Sequence, residues 1–219
     1  MYGELPEIET TGGQKVHGWP VKILNPEKVA VLRLPANDEL LAYLTAQRSL
    51  YRDLGRRQGE SEEVPTPAAD LKLFTAIRID KDGEPFDEAE ALYAIGILTR
   101  WKVNSCERDG ATFVVKIGTV FGETTHVVNI PFQKDLAEYR RFVYKSRDIG
   151  NGLEERRFPP EVPVKLYDKI VEYVEGYIGT QMGSGPEFKQ AIPPHHKRAV
   201  VMEVVQALSL LDPSLDPNS

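Results

Sequence analysis

The sequence has a single cysteine, Cys106, so no disulfide can form within the chain. No apolar run reaches about 18 residues, and no signal-peptide core follows Met1. The sequon N-x-[ST] is absent, as is any Gly-rich loop followed by Lys-Ser or Lys-Thr. Basic residues are not in excess: the net charge is −6, which argues against a general nucleic-acid binder and leaves room only for a local basic patch. These absences point away from a secreted or membrane-spanning protein and towards one made and used in a cytoplasm, or assembled there into a larger particle. At 219 residues and 41 % hydrophobic content the chain makes one large or two small domains, with material for a modest core in each half.

What is present is a pattern met twice. Val21-Lys22-Ile23 matches Val115-Lys116-Ile117. Each is followed by a second apolar strand that ends in proline, at Pro35 and Pro131. Leu40 and Tyr43 then match Leu136 and Tyr139, and Leu54-Gly55 matches Ile149-Gly150. Lys72-Leu73-Phe74 with Ile77 matches Lys165-Leu166-Tyr167 with Ile170, and a long apolar helix closes each part, over Asp87–Arg100 and Pro193–Leu211. The matches lie roughly 95 residues apart and keep one order, which is the signature of an internal repeat. The stretch Trp101–Pro131 between them reads as a β-meander, with Arg108-Asp109-Gly110 as a hairpin turn. Alternation in Thr124–Ile130 fits burial of either face.

The expected fold is therefore α+β and internally duplicated: two halves, each a β-hairpin plus three helices, around a central antiparallel meander whose strands join the halves. The expected division is an N-terminal arm over 1–15, a first repeat over 16–101, a second repeat with the meander over 102–212, and a tail over 213–219. Asn37 is expected to cap an amphipathic helix carrying Leu40, Tyr43, Leu44, Leu50, Tyr51 and Leu54. Gln133–Ile149 repeats that helix. Leu71, Phe74 and Ile77 are expected inward on a short helix, and Ala91, Leu92, Ile95 and Leu98 on the next, which Asp87 caps. Pro163–Ile178 carries the clearest helical stripe, through Leu166, Tyr167, Ile170, Val174 and Tyr177. The final helix, with Val200, Val201, Val204, Val205 and Leu208, is apolar nearly all round and is expected to be buried.

Few residues suggest chemistry. His195 and His196 are adjacent, and neighbours on a helix point about 100° apart, so they are poorly placed to share a metal and read as exposed residues at a helix start. Cys106 in a strand could act as a nucleophile if His126 lay against it; a small packing residue is the plainer reading. Glu154-Glu155-Arg156-Arg157 reads as a solvated charge run. Arg52, Arg56 and Arg57 end one helix and Arg140, Arg141 and Lys145 the other. Each set suits a helix C-terminus, and the two could face each other as a basic patch for an anion or nucleic acid. Nine tyrosines, mostly on helices, favour contact surfaces over a reactive pocket. Leu5 and Ile8 on the arm, with Tyr51, Tyr144 and Tyr173, are candidate partner contacts.

The run VAVLRLPANDELL at Val29–Leu41, repeated in VVNIPFQKDLA at Val127–Ala137, joins an apolar strand, a proline and a leucine-bearing helix. It resembles morphogenesis proteins of tailed bacteriophages, the tail-assembly-chaperone group among them. The resemblance covers less than half of the chain and carries no functional residue. It implies a non-enzymatic structural or assembly role in a phage head or tail, with other protein subunits as partners, copies of itself or phage structural proteins, and no cofactor. The competing expectation is a regulator that binds a ligand or nucleic acid between the halves. An enzyme using Cys106 and His126 comes third.

Overall fold

The computed structural model describes residues 6–9, 13, 15–22, 28–46, 49–52, 67–80, 85–119, 122–143, 145–150, 153–157, 159–177, 189–190 and 192–211, with the backbone alone for 49–52, 67, 145–150, 153–157 and 211. The first part comprises strands β1 (Glu7–Glu9), β2 (Lys15–His17), β3 (Trp19–Lys22) and β4 (Val29–Leu32), then helix α1 (Asn37–Ala46), strand β5 (Ser49–Arg52), and helices α2 (Pro67–Ile77) and α3 (Glu88–Thr99). The second comprises β6 (Trp101–Asp109), β7 (Thr112–Thr119) and β8 (Gly122–Asn129), then α4 (Gln133–Val143), β9 (Lys145–Gly150), β10 (Leu153–Arg157), α5 (Glu161–Ile170), β11 (Val171–Glu175) and α6 (Pro194–Leu211). The class is α+β, and every strand pairing is antiparallel.

Buried apolar side chains fall into two clusters. One joins Val21, Ala30 and Leu32 of the β3–β4 hairpin to Leu40 and Tyr43 of α1, Phe74 and Ile77 of α2, and Ala91, Ile95 and Leu98 of α3. The other joins Phe113, Val115, Ile117 and Val128 of the meander to α4, α5, β11 and α6. The meander thus buries the row Thr124, His126 and Val128, which settles the register left open by alternation. The last helix is buried at Val200, Val201, Val204 and Leu208, whereas Val205 is only half-buried and Met202 and Leu210 are exposed, so its burial is not all round.

The order of elements recurs, and so does the pairing within them. Val21 lies opposite Ala30 and Trp19 opposite Leu32. At the matching positions Val115 lies opposite His126 and Phe113 opposite Val128. After α2 the chain returns to β4, where Arg78 bridges Leu32. After α5 it returns to β8, where Val171 lies opposite Val128. In α3 the buried positions are Glu90, Ala91, Ala94, Ile95 and Leu98; at the same distances from the start of α6 they are His196, Lys197, Val200, Val201 and Val204.

Several expectations are corrected. The helices expected to run through Leu50 and Tyr51, and through Ile149, stop at Ala46 and Val143. Both chains then become strands, β5 and β9, which flank β10, so the run Glu154-Glu155-Arg156-Arg157 is the middle strand of a sheet. Strand pairing between distant segments outweighs an i, i+3 apolar spacing, because it satisfies backbone groups that a frayed helix end would leave open. Likewise α5 ends at Ile170 and the chain continues as β11 against β8. A bulge between Val171 and Tyr173 lets Val171 and Val174, three residues apart, both face the core, which imitates helical spacing. The halves are joined not through the meander but by β5 on β10 and by α1 packing on α6.

Asp87 caps α3 as expected, with Glu90 completing a capping box. Asn37 instead is the first residue of α1. The Ala36 N–H is taken by the Glu39 carboxylate at 2.8 Å, while the Asn37 amide donates to the carbonyls of Gln190 and, at 3.5 Å, Ile192. Arg33 grips Glu39 with two bonds and holds its carboxyl down to about 2. In α3 it is Ala94 that faces in, while Leu92 faces out; in α2 Leu73 is buried and Leu71 only half-buried. The arm is half of a hairpin, Ile8 lying opposite Val16. Strands β2 and β3 are separated at Gly18, where a Cβ would meet Val31 Cγ1 at 2.6 Å.

Gly176 makes the turn after β11 with φ of 87°, and a Cβ there would lie 2.5 Å from the Glu123 carbonyl oxygen. Gly176→Ala is expected to cost about 1–3 kcal/mol by forcing a left-handed conformation against backbone that has no room to yield. Urea denaturation at pH 7 measures it; an unchanged midpoint would contradict that tightness.

Candidate functional site

Strand register places the candidate reactive pair. Cys106 lies opposite Val115, and Val115 opposite His126. Residues in one row face one side of a sheet, and each strand step is about 4.8 Å, so the backbones of Cys106 and His126 are about 10 Å apart with Val115 between them. The thiol is not against the imidazole. Burial, and then the charge of Glu203, push the Cys106 thiol up, away from the thiolate a nucleophile needs.

His126 belongs to a different arrangement. Its Nδ1 lies 2.7 Å from the Tyr167 hydroxyl on α5. Its Nε2 lies 3.2 Å from Thr124 Oγ1 and 3.2 Å from the Tyr177 hydroxyl, and Tyr177 reaches His196 Nδ1 at 2.5 Å. The direction follows from counting protons. The Tyr167 O–H finds His126 as its partner, so Nδ1 accepts. The neutral ring then carries its proton on Nε2 and donates towards Tyr177 and Thr124. Tyr177 donates to His196, whose proton is left on Nε2. This chain of hydrogen bonds ties β8, α5, the turn after β11 and the start of α6 into one buried unit, and it requires every imidazole in it to be neutral. Burial enforces that: His126 is lowered to about 3, His196 is held well below its ordinary value, with His195 and His126 adding to the effect, and both phenols are raised by burial.

The adjacent histidines are not exposed, which corrects the expectation from helix position. Both are buried, with ring centroids 4.4 Å apart in a T-shaped contact. The apolar segment Ile192–Pro194 draws the helix start into the second core, so exposure cannot be read from a helix terminus alone. Neither ring nitrogen of His195 has a hydrogen-bond partner among the described residues, and burial lowers it to about 4. The first turn of α6 contains no acid, and its dipole also disfavours an imidazolium there. Next in the chain, Lys197 is buried, with its ammonium 2.7 Å from Asp168 Oδ1 and over the Tyr167 ring. Among the described residues no group of three or more His, Cys, Asp or Glu could hold a metal ion.

The other expected site residues are spread out. Ile8 is half-buried on β1, and Tyr173 lies on β11 rather than a helix, its hydroxyl on Glu175. Tyr51 is in β5; Leu5, Tyr144, Arg56 and Arg57 lie outside the described residues, as do Leu54 and Gly55. Arg140 and Arg141 are in the last turn of α4. Arg52 does not end a helix: it lies opposite Leu153 of β10, whereas Lys145 lies opposite Arg157 at the other end of that strand, roughly 13 Å away. The basic residues therefore do not converge through these two positions. A groove of about 290 Å³ runs between α4 and α5, with Asp135, Glu138, Glu161, Lys165 and Lys169 on its walls. Lys169 spans it, bound to Asp135 at 2.8 Å and Glu138 at 3.1 Å. None of the buried histidines, nor Cys106, lines it.

The surface holds what sequence reasoning missed. Leu92, Tyr93, Phe132, Phe142, Met202 and Leu210 are exposed. The signal was there for α3: Ala89, Leu92, Tyr93 and Gly96 recur at i, i+3, i+4 and i+7, forming a second apolar stripe opposite the buried one. No helix among the described residues is long and apolar enough to cross a membrane. No family model matches the chain, and no curated protein or solved structure matches it either.

Proposed function

We propose that this chain is a non-enzymatic assembly protein that works by presenting surfaces to other protein subunits, in the cytoplasm or within a particle built there. The observation that carries this reading is the placement of its large apolar side chains. The groups with chemical potential are turned inward, the three histidines buried in the second core and Cys106 half-buried against it, while Phe132 at 73 % exposure, Leu210 at 77 % and the stripe on α3 face outward. Isolated exposed apolar residues are ordinary; an apolar stripe on a helix is characteristic of a contact surface. Strand β6, nine residues long and paired among the described residues only with β7, adds an open sheet edge. The recurrence of hairpin, helices and register supports, as part of the same proposal, two halves that are copies of one unit. The strand–proline–helix resemblance makes a tailed-phage head or tail the context we favour, as virion component or assembly chaperone.

Size fractionation of an extract from cells that make the protein tests this. The chain is expected in particles far larger than one subunit, and Phe132→Glu is expected to move it to small species without changing its unfolding curve. A chain found only at the size of a single subunit in the extract would overturn the reading.

A further inference from the structure

Each half ends in a helix built to one plan, and only one of the two is covered. In α6 the first two turns are buried almost all round: His195 and Ala199 are enclosed as well as the core positions. The positions at the same distance from the start of α3, Ala89 and Tyr93, are exposed. Helix α1 is packed on α6, with Asn37 bound to the carbonyls of Gln190 and Ile192 just ahead of it. Helix α4 occupies in the second half the place that α1 occupies in the first: the N–H of Leu136 bonds to the Phe132 carbonyl as that of Leu40 bonds to Ala36. Its first residue, Gln133, is again a carboxamide, and Phe132, Gln133 and Lys134 are all exposed.

Two unpartnered faces thus remain, and the chain already contains a contact between their counterparts. We propose that the protein associates head to tail with a second copy of itself, the start of α4 in one copy docking on α3 of the next as α1 docks on α6 within the chain. The proposal rests on the assembly reading and names its partner. The chemistry matches on both sides. Gln133 can donate to the Phe86 carbonyl ahead of α3, the counterpart of Ile192. Phe132 meets the apolar stripe at Leu92 and Tyr93. Lys134 approaches the acids at the start of α3, Asp87 and Glu88, whose charges are opposite to its own and offset the positive end of the helix dipole. Because the two faces differ, the contact is heterologous: copies add until a ring closes, or continue as a filament.

Sedimentation velocity on the purified full chain tests the proposal. The wild type is expected to form concentration-dependent oligomers, and Tyr93→Glu and Phe132→Glu are each expected to give monomers with unchanged circular dichroism, since both side chains are exposed. Mixing the two variants is decisive. Each keeps one intact face, so the mixture is expected to form a dimer and stop there. A Phe132→Glu variant that still pairs with itself, or a mixture that stays monomeric, would overturn the head-to-tail contact. A purified wild type that stays monomeric while the chain still enters large particles in extract overturns this inference alone; a chain that does neither overturns the assembly reading too.

Discussion

Acidification from pH 7 to pH 5 is expected to lower the free energy of unfolding by about 2 kcal/mol for each buried imidazole, enough with three of them to unfold a domain of ordinary stability. The sign follows from proton uptake. In the folded chain His126 is lowered to about 3, His195 to about 4, and His196 is lowered as well, all chiefly by burial. An unfolded histidine titrates near 6.5. Between these limits the unfolded chain binds more protons, so stability is full above pH 6.5 and falls as pH drops towards the folded values. The window separates this loss from that of carboxylates. Glu39, lowered to about 2 by Arg33, contributes stability that disappears only below the ordinary carboxylate range. Urea denaturation at pH 7, 6 and 5 measures the slope. His195→Leu is the sharper test: His195 makes no hydrogen bond among the described residues, so the change is expected to cost little at pH 7 and to remove about one third of the slope. An undiminished slope would mean that His195 does not charge on unfolding.

Removing Asp168 is expected to cost far more than removing the lysine it holds. The Lys197 side chain is 6 % exposed and its ammonium is 2.7 Å from Asp168 Oδ1, on a carboxylate that is 37 % exposed. Asp168→Ala leaves a buried cation without its counter-ion, at a cost of about 3 kcal/mol or more. Lys197→Met removes the charge and keeps an unbranched stem of similar length, leaving Asp168 to water; it is expected to cost about 1 kcal/mol or less. Paired denaturation curves at pH 7 check the order. If Lys197→Met were the worse of the two, the lysine would matter through its packing at the start of α6, not through an obligatory charge pair.

The α+β class was legible from the residues, and so were the two hairpins, the three helices in each half and the burial of Val200, Val201, Val204 and Leu208 in α6. Apolar periodicity reports the face an element buries, and Asp87 with Glu90 announces the start of α3 through chemistry that is local. The strands β5, β9 and β10 were not legible. Their partners lie far away in sequence, as Ser49 opposite Arg156 illustrates, and a segment such as Ser49–Arg52 has no alternation long enough to declare itself. The strand β11 was misread for a more specific reason: its bulge gives Val171 and Val174 the spacing of a helix. Burial of His195 and His196 was equally out of reach, because a polar ring at a helix start is exposed unless another part of the chain closes over it.

The sequence by itself determined the mixed class, the order of the hairpins and helices and most of the aliphatic positions that face the two cores, since these depend on periodicity and local capping. Only the tertiary structure decided that Val115 separates Cys106 from His126, that Tyr177 links His126 to His196, and that α1 packs on α6 while Ala89, Leu92 and Tyr93 of α3 stay exposed. These are relations between segments distant in the chain. They are fixed by strand register and by which helix packs on which, and neither quantity is written in any local window of residues.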